Sequence, residues 1–173
     1  MGNLFQYKLL LLLAFWLGAH THLFAQLTLS TSGTWSQTLS AASITEAGND
    51  FEAAYASAEN QVLLGVTNGN KNSNAEKNGY LWSIYVSKSD VLWDNTVQVY
   101  ARRTDEGTPR NSSRTTLVSG GTTYQQITET DQWFFWGYRG STGIPIQYQL
   151  QGVTVLMPAQ IYRTTIVYTV TSF

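Results

Sequence analysis

The feature that most constrains this chain is its closing run, residues 161–173. Tyr162, Thr164, Ile166, Tyr168 and Val170 occupy the even positions, and Arg163, Thr165, Val167, Thr169 and Thr171 the odd ones. A period of two belongs to a β-strand with one face on a core and the other in water. Gln147, Gln149 and Gln151 alternate with Ile146, Tyr148 and Leu150 in the same way. At Gly152 the apolar phase moves to Val153, Val155 and Met157, which predicts a β-bulge, and Pro158 ends that strand.

Further strands are expected over 62–67, 80–87, 96–103 and 131–139, with weaker candidates over 27–30, 34–38, 117–118 and 123–128. The connection Asn68-Gly69-Asn70-Lys71-Asn72-Ser73-Asn74 reads as an exposed loop. Over 49–57, Asn49 and Glu52 match a capping box, so the segment reads as an irregular strand or one helical turn. No stretch keeps a helical period, and there is no internal repeat or linker. The expectation is an all-β chain, an immunoglobulin-like Greek-key β-sandwich of about seven to nine strands.

The N-terminus has a different character. Lys8 precedes the apolar run Leu9-Leu10-Leu11-Leu12-Leu13-Ala14-Phe15-Trp16-Leu17, which is shorter than the ~20 residues a bilayer span needs. This predicts a secretory signal over 1–25, cut after Ala25, with Ala19 as a second cut site. Residues 26–173 then form a single domain, secreted to the periplasm, cell surface or medium.

That cut decides what chemistry the mature chain holds. The full sequence has 173 residues, a net charge of −1, no cysteine and two histidines. Both histidines, His20 and His22, precede the cut. Without His or Cys there is no Ser-His-Asp or Cys-His triad, no thiolate ligand and no usual zinc site. The near-neutral balance lacks the basic face of a nucleic-acid binder. No Asp-x-Asp-x-Asp-Gly pattern occurs. No cofactor, no metal site and no membrane span in the mature chain are expected.

The densest aromatic stretch is Trp133-Phe134-Phe135-Trp136-Gly137-Tyr138. Strict alternation puts Phe134, Trp136 and Tyr138 on one face and Trp133 and Phe135 on the other. Flat indole rings stack on sugar rings, so Trp133 and Trp136 are candidate glycan contacts, with core packing as the alternative. Trp82, in phase with Tyr80, Ile84 and Val86, reads as core. Trp93, beside the turn Val91-Leu92-Trp93-Asp94-Asn95, is the one of Trp35, Trp82 and Trp93 most expected to be partly exposed. Arg102 and Arg103 are candidates to clamp a carboxylate or sulfated sugar. Structurally, they point to opposite faces, with one paired to an acid. Glu129 with Asp131, Asp105 with Glu106, and Asp90 with Asp94 are carboxylate pairs of the kind a glycosidase uses. Adjacent strand-start acids are more often solvated. Arg163 reads as a charge that discourages edge-to-edge pairing.

The segment Val97-Gln98-Val99-Tyr100-Ala101-Arg102-Arg103-Thr104-Asp105-Glu106-Gly107, with Ile146 to Val155 and the closing Tyr162-Arg163-Thr164-Thr165-Ile166-Val167-Tyr168-Thr169-Val170, resembles small uncharacterised secreted β-sandwich proteins of Gram-negative bacteria. The closing pattern is more loosely similar to the last strand of spore-coat-U-like and pilin-like proteins. Such a resemblance implies a surface or extracellular structural role. The chain departs from usher-assembled pilins in having no disulfide. The expected function is therefore a non-enzymatic, secreted or cell-surface structural or adhesive protein. The alternative is a carbohydrate-binding module using exposed aromatic residues. Its partners would be a surface glycan or another surface protein, or further copies of itself.

Overall fold

The computed structural model describes residues 27–40, 44, 46 and 48–173. The expected signal segment lies outside the described residues. Among the described residues the chain forms eleven strands and one short helix: β1 (Leu27–Ser32), β2 (Ala54–Ala56), β3 (Val62–Asn68), α1 (Asn74–Asn78), β4 (Leu81–Leu92), β5 (Gln98–Arg103), β6 (Thr108–Pro109), β7 (Leu117–Gly120), β8 (Gln125–Ile127), β9 (Gln132–Tyr138), β10 (Ser141–Gln151) and β11 (Arg163–Ser172). No helix among them is long and apolar enough to cross a membrane.

Two antiparallel sheets result. One runs β1-β3-β10-β5-β8, with the short β2 and β6 also paired to β10; the other runs β11-β4-β9-β7. The all-β sandwich expected from the sequence is what forms. The strand count exceeds expectation because β2 and β6 are pairings of three and two residues, too short to display alternation, whereas β8 lies within the weaker candidate over 123–128.

Each sheet has one inward face. Leu64, Val66, Ile144 and Ile146 from the larger sheet meet Trp82, Ile84, Val86, Phe134 and Phe135 from the smaller, all fully buried. β11 behaves as its alternation predicts, with Ile166, Tyr168 and Val170 against the core and the odd positions exposed. The Tyr148 and Tyr168 hydroxyls meet at 2.7 Å between the sheets. Burial pushes the Tyr148 phenol up to about 12, partly offset by that hydrogen bond.

Three local expectations are corrected. Gly152 does not carry a bulged strand onward. At φ +78 it passes so close to the Thr96 carbonyl that an added Cβ would sit 2.2 Å from that oxygen, and the ladder stops at Gln151. Residues 153–162 cross without strand structure, leaving Val155 and Leu156 exposed. The Asp50 carboxylate anchors this crossing by accepting from the Phe51 and Val155 amides, which hold its pKa low. Residues 34–38 form no strand. Within residues 49–57, Ala54–Ala56 form β2, so of the two forms expected there the strand is the one present.

The third correction concerns residues 68–74. This segment is not wholly an exposed loop, because Asn68 is buried and Ser73 caps α1, accepting from the Glu76 amide at 3.2 Å. Glu76 is itself buried, accepting from the Tyr80 hydroxyl at 2.6 Å and the Gly140 amide at 3.4 Å. The Ser73-x-x-Glu76 spacing was the legible signal for this anchor.

Candidate functional site

The site is built by one irregularity in β9. Ile84 of β4 faces Phe135, but Tyr85 faces Trp133, so Phe134 is an extra residue with no opposite number. The bulge turns both phenylalanines inward, where their rings meet edge-on at 5.1 Å. Strict alternation is thereby overturned: Phe134 joins Phe135 in the core, and Trp136 and Tyr138 share the outer face with Trp133. Inward-facing Gly137 makes room for Trp82, whose ring atoms lie within 2.2 Å of where a Cβ would be. The Trp82 indole nitrogen donates to the Arg139 carbonyl at 2.7 Å, closing the end of the sandwich.

The outer face of the smaller sheet is therefore an aromatic row on a flat ground. Trp136 stands between Ser83 and Ser119, its direct neighbours on β4 and β7. Trp133 stands beside Tyr85, and Tyr138 between Leu81 and Leu117. Of these rings Trp133 is exposed, and Tyr85, Trp136 and Tyr138 are half-buried. Glycines hold both ends of the row. A Cβ on Gly120 (φ +90) would lie 2.9 Å from the Trp133 ring, and one on Gly79 would collide with the Tyr138 ring. At that second end the Arg139 guanidinium sits 4.8 Å from the Tyr138 ring centroid. Between these ends Leu81, Ser83, Tyr85, Ser87, Leu117 and Ser119 supply no charge.

The tryptophans differ in accessibility. Trp133 is the most open of those described, at 47% exposure, while Trp136 is half-buried. Trp93 is half-buried, in keeping with the partial exposure expected at its turn. It packs against the core, donates to the Val97 carbonyl at 2.9 Å and lies under the Lys88 ammonium, 5.8 Å away. It lies apart from the aromatic row, near an open cleft of about 430 Å³ lined by Lys88, Val97, Gln126, Ile127 and Glu129.

The two arginines separate as their adjacency on a strand requires. Arg102 points outward from the larger sheet, donating to Gln147 at 2.8 Å, lying 5.0 Å over the Tyr124 ring and 3.8 Å from Glu59. Arg103 points inward and is buried, with its side chain donating to the carbonyls of Gly120 at 2.9 Å and Val118 at 3.3 Å. Burial lowers its pKa, with Glu106 and Asp105 acting weakly the other way. Its donors are committed to the protein, so the pair makes no joint carboxylate clamp.

Glu129 and Asp131 are both exposed, as are Asp105 and Glu106. Asp90 forms an ion pair with Lys88. Burial raises the Asp90 pKa, but hydrogen bonds from Lys88 and Thr164 and the Lys88 charge outweigh it and hold the carboxyl low. Among the described residues no three His, Cys, Asp or Glu side chains come together as a metal site would require. No family model, curated protein or solved structure matches the chain.

Proposed function

We propose that this chain is a non-enzymatic, exported binding protein that adheres to a neutral glycan through Trp133, Trp136 and Tyr85 on the outer face of β4 and β9. The observation that carries this reading is the β9 bulge, which spends both phenylalanines on the core and leaves the indoles outside. A contiguous exposed aromatic patch is costly to leave in water unless something docks on it. Stacked rings give a sugar's C–H face an apolar partner without requiring a deep pocket. The lack of charge among the central side chains favours an uncharged polysaccharide over a sulfated or uronic one. This joins the adhesive role and the carbohydrate-binding role into one reading, with export by the N-terminal signal as part of it.

The test is retention of the purified protein on insoluble cellulose and chitin, together with an array of neutral oligosaccharides. Binding to at least one neutral glycan is expected. Trp133→Ala and Trp136→Ala should each weaken it about tenfold, the equivalent of ~1.4 kcal/mol, while Gln149→Ala on the opposite sheet leaves it unchanged. Failure to bind any neutral glycan, or binding indifferent to the double tryptophan variant, would refute the proposal.

A further inference from the structure

The sandwich ends in four strand edges, and they are not equally protected. β8 offers three residues and β7 four. On β7 the carbonyls of Val118 and Gly120 are already taken by the Arg103 side chain. β1 offers six residues. β11 is the outermost strand of the smaller sheet and runs for ten. β1 approaches it from the other sheet without forming a ladder with it.

Sheet edges are normally blunted by Lys, Pro, inward charges or bulges. β11 has none of these between Thr164 and Ser172, and its one register shift against β4 falls at the Arg163 end. Arg163 is its single charge, so the gatekeeper expected there guards one end only. Ile166, Tyr168 and Val170 remain half-buried on the inward side of this edge.

The sequence of β11 is also self-complementary. Antiparallel neighbours keep their faces only if odd positions meet odd and even meet even. With Val167 opposite its own copy, Thr165 meets Thr169 and Arg163 meets Thr171 on the outer face. On the inner face Ile166 meets Tyr168 and Thr164 meets Val170. No like charges oppose each other, and threonine–threonine and apolar pairs favour cross-strand contact.

We infer that β11 pairs antiparallel with β11 of a second copy of this chain, joining the two smaller sheets into one eight-stranded sheet about a twofold axis. The partner's Ile166 and Tyr168 then cover half-buried apolar edges that a monomer leaves open. Both aromatic rows lie on the same continuous outer face, so a dimer presents two binding platforms to one polymer. The pairing itself depends only on β11 and not on what the aromatic row binds.

The experiment is light scattering behind size-exclusion chromatography over a concentration series. The comparison is between the purified protein, Val167→Lys, Val167→Glu and an equimolar mixture of the two variants. Val167 faces outward, so neither substitution buries a charge in the core. The wild type is expected to rise from monomer to dimer mass and stop there. Each variant sets like charges against each other across the axis and should dimerise at least ~10-fold more weakly. The mixture should recover dimer, because Lys then meets Glu; that recovery separates edge pairing from simple loss of fold. A wild type that stays monomeric, a dimer unaffected by either charge, variants that the mixture fails to rescue, or a ladder of ever larger species would each overturn the inference.

Discussion

The two outer faces of this sandwich solve the same problem in opposite ways. On the larger sheet, outward side chains satisfy one another. Arg102 donates to Gln147, Gln147 to the Ser57 carbonyl, Gln151 to Gln149 and the Tyr100 hydroxyl to Gln98. On the smaller sheet the outward residues are Trp133, Trp136, Tyr138 and Tyr85, set among serines and leucines. A polar lattice of the first kind is complete in water. An aromatic row of the second kind gains by being covered. Function is therefore sought on the sheet with fewer strands, where side chains lack partners of their own.

The inward side of this contrast rests on Phe134, and deleting that residue should have the largest effect. Removing the extra position leaves β9 paired regularly with β4, with Trp133, Trp136 and Tyr138 still outward, but it takes from the core a buried ring that meets Phe135 and Tyr168. The expected outcome is a destabilisation of about 3–5 kcal/mol, read by urea unfolding and near-ultraviolet circular dichroism, with the outer aromatic row kept. A deletion variant that unfolds at the wild-type midpoint would mean that the bulge residue adds nothing to the core.

The adjacent arginines sharpen the same comparison at smaller scale. Arg103→Ala leaves the buried Val118 and Gly120 carbonyls without their donor and opens a cavity beside Phe135, so a loss of about 2–4 kcal/mol is expected. Arg102→Ala removes a partly exposed ion pair, an amide contact and a cation over the Tyr124 ring, and should cost about 1 kcal/mol or less. Equal effects in chemical denaturation would show that burial does not separate them.

Between the faces, Tyr148 by itself contributes an alkaline pH signature of about 2–3 kcal/mol. Tyr148 keeps its proton to about pH 12 when folded, whereas an unfolded tyrosine releases it near pH 10. The unfolded chain then binds fewer protons, so stability is fully present below pH 10 and falls as pH rises toward 12. Tyr148→Phe should flatten that alkaline limb, and an unchanged slope would place the effect elsewhere.

Much of this architecture was legible in the residues. β3, β4, β9 and β11 lie where strands were expected, and Trp82, Ile84 and Val86 are core by phase. Trp133 and Trp136 were visible as candidates, but not as neighbours on one face. Alternation assigned them to opposite faces because it counts every residue once, and a bulge residue must be counted out. Trp93 is partly exposed, as its turn suggested, but a turn position says nothing of the core beneath it. Its indole found the Val97 carbonyl four residues on.

What the sequence determined by itself was everything carried by local chemistry. Period-two alternation specifies strands, branched and aromatic side chains favour them, and Gly and Asn clusters break the chain between them. Adjacency on a strand was enough to send Arg102 and Arg103 to opposite sides. Only the tertiary structure decided which residue of Phe134-Phe135 is the extra one, which carbonyls Arg103 holds, and which strands lie at the edges. Each of those depends on partners distant in sequence. Trp82 needs the space above Gly137, 55 residues away, and a ladder's register is chosen by the summed fit of every pair along it.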